Sequence, residues 1–163
     1  MAEYRQSKLT DEENNRIDKF QKALPKAPVD IVKLSESFGL AVWRAELPQG
    51  ISGAIRREGD GYAIYANKNE PMARRRFTYA HELAHFFLHK DDIGDGLNEN
   101  VLFRSSLTND KEVAANKIAA EILVPLKILN ELAETKKYGV RELAEKFGVS
   151  RSTMLLRLGI PSS

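Results

Sequence analysis

Phe77-Thr78-Tyr79-Ala80-His81-Glu82-Leu83-Ala84-His85-Phe86-Phe87-Leu88-His89 is the stretch on which the reading of this chain turns. It holds His81-Glu82-Leu83-Ala84-His85, a His-Glu-x-x-His core. On an α-helix, His81 and His85 stand one turn apart on one face, about 40° round the axis. Two imidazoles so placed grip one Zn²⁺, and Glu82 projects from the neighbouring edge of that face. Neutral imidazole suits zinc, and a carboxylate that is not itself a ligand can take the proton of an attacking water. The flanking Phe77, Tyr79, Ala80, Leu83, Ala84, Phe86, Phe87 and Leu88 are apolar nearly all round, the pattern of a helix buried among other elements. Polar groups on such a helix are costly unless partnered. A core helix whose histidines bond only to backbone is the weaker reading.

Working downstream, a catalytic zinc takes three protein ligands and leaves one position open. The candidates are His89, Asp91, Asp92, Glu99, Asp110, Glu112 and Glu121. His89 lies about 12 Å along the helix from His81, too far to share the ion, and is read as a hydrogen-bonding residue instead. Glu112 falls in the first turn of a helix predicted from Asn109-Asp110 to Val124, on a stripe through Asn116, Ala119 and Leu123. Glu121 points about 180° away from Glu112, so only one of them faces the ion. Small neighbours (Ala115, Ala119) and a preceding polar loop over 97–109, long enough to act as a flap, favour Glu112. Asn116, one turn on, is placed to hydrogen-bond a ligand histidine and orient it.

Upstream, Thr10 with Glu13 reads as a capping box for a helix carrying Ile17, Phe20 and Leu24 and stopping at Pro25. Pro28-Val29-Asp30 opens a second helix, with Ile31, Leu34 and Phe38 inward and Gly39 as its stop. Leu40–Leu47 reads as a strand. Ser52–Arg57 and Tyr62–Ala66 form a hairpin across Glu58-Gly59-Asp60-Gly61. The resulting small antiparallel sheet offers an edge on which an extended peptide could lie beside the metal. Pro71 is expected at the first position of the metal helix, followed by an exposed basic turn, Arg74-Arg75-Arg76, which reads as solvated. Pro125 restarts a helix to about Lys136. Beyond it, residues 140–158 read helix, turn, helix, with Ser150 capping the last. That tail either sets Arg151, Ser152 and Thr153 in a DNA major groove or packs Leu143, Phe147, Leu155 and Leu158 against the core. A net charge of +2 favours packing.

Composition sets outer bounds. The 163 residues suffice for one domain with a small helical appendage, and 42% hydrophobic with 29% charged residues is ordinary globular usage. No apolar run approaches a membrane span, and Met1–Gln6 lacks the apolar region of a signal peptide. With no cysteine there is no disulfide, any zinc must be held by histidine and carboxylate, and a cytoplasmic setting is expected.

Phe77–His85, Glu112, and Ala119-Ala120-Glu121-Ile122-Leu123-Val124-Pro125 together resemble the ImmA/IrrE family of metallo-endopeptidases over roughly residues 30–158. The family is similar to the gluzincins, in which two helix histidines and a glutamate from a following helix bind zinc. The resemblance implies His81, His85 and Glu112 as zinc ligands and Glu82 as the catalytic glutamate. Gluzincins often carry Asp one turn after the ligand Glu, where this chain has Asn116. It further implies an α+β, zincin-like metallopeptidase domain over residues 1–136, with a helix-turn-helix-like segment over 137–163 packed on it. The expected activity is zinc-dependent cleavage of an intracellular helix-turn-helix repressor in a stress response. Tyr79, Tyr138, Arg104 and His89 are candidates for an oxyanion donor. Two other readings stand beside it: a DNA-binding regulator using the tail, with a structural zinc, and an inactive zinc-stabilised interaction module.

Overall fold

A computed structural model describes residues 9–23, 27–94 and 109–162. The first helix, α1 (Asp11–Ala23), starts where Thr10 and Glu13 bond reciprocally. Thr10 N–H donates to the Glu13 carboxylate at 2.9 Å, and Glu13 N–H donates to Thr10 Oγ1 at 3.2 Å, which satisfies two donors that the first turn leaves open. Ile17 is buried on its inner stripe; Leu24 and Pro25 lie outside the described residues. The second helix, α2 (Ile31–Ser37), is capped by Asp30, whose carboxylate accepts from Lys33 N–H at 3.0 Å. Ile31 and Leu34 are buried, and Gly39, at φ +84°, turns the chain into the sheet.

Strands β1 (Leu40–Ala45), β2 (Gly53–Glu58) and β3 (Gly61–Asn67) form one sheet in the order β1-β3-β2. The hairpin is antiparallel, with Glu58 opposite Gly61, and Gly59 supplies the positive φ (+57°) at its turn. β1 departs from the expected all-antiparallel sheet: it pairs parallel to β3, Leu40 opposite Tyr62 through Ala45 opposite Asn67. The reason lies in β3. Its Ala63, Ile64 and Ala66 are wholly buried, and a strand so apolar takes the centre and pairs on both edges. β2 therefore crosses to the far side.

The helix expected to hold the metal, α3 (Met72–His89), follows, with Pro71 just before its first residue rather than in it. Thr78 through His85 are all buried. After a 3₁₀ turn at Lys90–Asp92 come α4 (Asn109–Leu123), α5 (Leu126–Thr135), α6 (Val140–Phe147) and α7 (Arg151–Leu158). An ion pair between Lys111 and Asp92, 3.5 Å apart, joins the turn after α3 to the start of α4. α3 and α4 pack along each other, and Ala80, Ala84, Ala115 and Ala119 are all fully buried, so two helix backbones can approach closely. No helix among the described residues is long and apolar enough to cross a membrane.

The tail belongs to this core. Leu143, Phe147 and Leu155 are buried and Leu158 is packed against the same cluster. Gly148 at φ +63° ends α6, and Ser150 Oγ caps α7 by accepting from Thr153 N–H at 3.1 Å. Two arginines fasten the pair. Arg157 donates to Val124 O at 2.8 Å. Arg76 donates to Val29 O (2.8 Å), Gly148 O (3.0 Å) and Phe147 O (3.2 Å). The basic turn is thus only partly solvated: Arg76 sits over the end of α6, where carbonyls and the helix dipole favour a cation. Burial holds its guanidinium pKa below the usual value.

Candidate metal centre

α3 supplies the two histidines and α4 the carboxylate. His81 Nε2 and His85 Nε2 are 3.0 Å apart. Glu112 brings one oxygen to 3.4 Å from His81 Nε2 and the other to 3.1 Å from His85 Nε2. Among the described residues, these three are the group whose donor atoms converge tightly enough for one metal ion. Both histidines are buried. Burial first, then the neighbouring His81, pushes the His85 pKa down to about 3, which keeps it in the neutral, lone-pair form a metal requires. His85 Nδ1 lies 2.8 Å from His89 Nδ1; in the tautomer where His85 Nδ1 donates, Nε2 carries the lone pair. Two neutral imidazoles and a carboxylate suit zinc. The donor set fits the ion.

Glu82 is 1% exposed and stands beside this triad at the wall of a cavity of about 630 Å³. Gly53, the first residue of β2, meets it there. A Cβ on Gly53 would fall 2.1 Å from Thr78 Cγ2, 2.7 Å from Tyr65 O and 3.6 Å from Glu82 Oε1. Only glycine lets the sheet come this close to the metal helix. On the outer edge of β2, Arg57 N–H donates to Gly94 O at 3.0 Å. The hairpin register turns the N–H and C=O of Ile55 and Gly53 to the same edge, where they take no backbone partner among the described residues.

Several other candidates stand elsewhere. Glu121 lines a different recess with Ile17 and Ile118, and burial raises its carboxyl pKa while Arg157 and Lys117 pull the other way. Asp92 pairs with Lys111, and Glu99 and Arg104 lie outside the described residues. Asn116 lines the cavity beside His81 and Glu82 but bonds neither histidine. Its half-buried amide stands in the cleft wall instead. Tyr79 donates to Trp43 O at 3.2 Å, on the side of α3 that faces β1, so it is not an oxyanion donor. The Tyr138 ring lies near the ammonium groups of Lys136 and Lys146, 5.2 and 4.7 Å from its centroid.

The C-terminal tail was the least expected part of the site. Ser150, Ser152, Thr153 and Leu156 line the same cavity as His81 and Glu82. Thr153 is buried and Leu156 is 39% exposed. Periodicity marks both as residues of an amphipathic helix, but nothing in the sequence says that its first turn closes a cleft made 70 residues earlier.

A family model described as the IrrE N-terminal-like domain (peptidase M78) matches residues 35–159. The metallopeptidase ImmA of Bacillus subtilis (strain 168) is 36% identical over 93 residues, covering 55% of this chain and 51% of that protein. A Mycobacterium tuberculosis transcriptional regulator of known structure is similar at a TM-score of 0.64 and 19% identity, over 95% of this chain and 48% of that one. At that identity the likeness shows the fold alone, and the chain spans about half the length of both relatives. The family match covers most of the chain, and the chain belongs to the IrrE N-terminal-like, or ImmA/IrrE, family, with its α+β metallopeptidase-type fold.

Proposed function

We propose that the chain is a zinc-dependent endopeptidase. One observation carries the reading: His81, His85 and Glu112 present three donor atoms to a common point, with buried Glu82 beside them at a cavity wall. Zinc held there would lower the pKa of water and polarise the scissile carbonyl. Glu82 would take the proton of the attacking water and return it to the leaving amine nitrogen. Glu82 is buried, and a Cβ added at Gly53 would come within 3.6 Å of its carboxylate. The edge of β2 at Gly53 and Ile55, which takes no backbone partner among the described residues, supports the peptide as an added strand, drawn past Glu82 by main-chain hydrogen bonds.

The substrate class proposed is an intracellular helix-turn-helix repressor, cut at one or a few sites. The resemblance to ImmA/IrrE proteins supports it. DNA recognition by the tail is less well supported, since Thr153 is buried with its hydroxyl 2.9 Å from Ser150 Oγ, and Ser152 lines the cavity.

The test separates binding from chemistry. Purified protein is expected to hold one zinc per chain by elemental analysis, lost in His81→Ala, His85→Ala and Glu112→Ala but kept in Glu82→Gln. Glu82→Gln should lose cleavage of a neighbouring-gene repressor by a factor of about 10² to 10⁴ or more, followed by mass spectrometry. Full activity in Glu82→Gln sinks the mechanism. Sequence-specific DNA binding without cleavage of any repressor would turn the reading to a regulator.

A further inference from the structure

The cavity beside Glu82 has a composition that the metal site does not require. Phe77 and Leu156, from α3 and α7, give it apolar walls, and Leu156 keeps 39% of its surface exposed there. A leucine left open inside a recess of about 630 Å³ is surface that a ligand can cover. Arg74 lines the same recess, and no carboxylate among the described residues pairs with it. Among the described residues, Glu82 is the only carboxylate in that wall, and its role is taken by the chemistry.

We infer that Phe77, Leu156 and Arg74 form a substrate subsite that selects a large apolar residue flanked by an acidic one. The inference rests on the endopeptidase reading and names the peptide class for that same site. The apolar side chain fills the gap between Phe77 and Leu156, burying the exposed leucine. The neighbouring carboxylate sits at the Arg74 guanidinium, which no carboxylate among the described residues pairs with. α7 then serves as a wall for peptide recognition. Ser150 and the buried Met154, Leu155 and Arg157 hold it in place, and Ser152 and Leu156 face the substrate.

The experiment uses a mixture of short unstructured peptides randomised around a central segment, digested by the zinc-loaded protein and read by mass spectrometry. Cleaved sites should be enriched in Leu, Ile, Met or Phe next to Asp or Glu. Leu156→Ala should reduce the preference for large over small apolar residues by about tenfold. Arg74→Glu should invert a preference for acidic over basic neighbours of about fivefold. In parallel, binding of a Leu-Asp peptide and its Leu-Lys counterpart to Glu82→Gln protein is followed by NMR chemical shifts, which needs no turnover. Cleavage that lacks this preference, or keeps it unchanged in both variants, overturns the inference and leaves the protease standing. Selective binding to Glu82→Gln without hydrolysis by the wild type upholds the subsite and sinks the endopeptidase reading. Neither binding nor cleavage overturns both.

Discussion

Gly53 shows how much of the site hangs on a single missing methyl group. A Cβ there would sit 2.1 Å from Thr78 Cγ2 and 2.7 Å from the Tyr65 carbonyl, and a backbone carbonyl in a central ladder cannot give way cheaply. Gly53→Ala should cost about 1–3 kcal/mol in denaturant unfolding, the usual range for an overpacked position. Adding Thr78→Ser removes the methyl clash and leaves the carbonyl clash, so rescue should be partial; full rescue would show that the carbonyl contact is harmless. Glu121 gives a second test at this scale. Burial raises its pKa, so its neutral form is the one the fold favours. The stability it brings is whole below the unfolded value, near 4.5, and is lost as pH rises through the raised folded value. Glu121→Gln should therefore flatten that decline in pH-dependent unfolding and leave zinc content unchanged; loss of zinc would contradict the choice of Glu112. Helical spacing puts His81 and His85 on one face and sets Glu112 and Glu121 on opposite faces. Small neighbours and the preceding loop favour Glu112, and the structure brings His81, His85 and Glu112 together. Gly53 was not legible in the sequence, because a close approach between strand and helix leaves no periodic trace.

Among the elements, the helices and the hairpin followed from caps, apolar stripes and turn residues, each a local signal. Thr10 with Glu13, Asp30 with Lys33 N–H, and Ser150 with Thr153 N–H all bond as those signals imply. The parallel pairing of β1 was not legible, since strand order depends on which strand can bury both faces, a comparison among all three. Arg76 was misplaced for a related reason. In sequence it is one of three adjacent arginines, and only the end of α6 arriving beside it takes it out of water. It joins α3 to Val29 before α2 and to the end of α6. Arg76→Met should destabilise the fold by about 1.5–3 kcal/mol through the carbonyls it strands. Arg76→Lys should recover only part of this, since an ammonium lacks the fork that reaches several acceptors. Equal stability of Arg76→Met and wild type, by thermal or denaturant unfolding, would remove the brace from this account.

For the whole molecule, α3 and α4 meet at the ligand set, so a bound metal stabilises the folded state and not the unfolded one. At a free zinc concentration a hundredfold above its Kd, linkage adds about 2.7 kcal/mol. Calorimetry should therefore show a lower melting temperature after chelation, restored by zinc, and no zinc-dependent shift in His85→Ala. An unchanged melting temperature after verified removal of the metal would argue against a site built between the two helices. A last consequence follows from where α7 lies. Ribosomes deliver chains from the N-terminus at about 5–20 residues per second. The Glu112 codon is therefore read several seconds before that of Leu156. During that interval the nascent chain holds His81, Glu82, His85 and Glu112, while Leu156, which lines the same cavity, has yet to be synthesised. The residues of the candidate metal centre are encoded early in this chain, and the α7 residues that line the cavity beside it follow later.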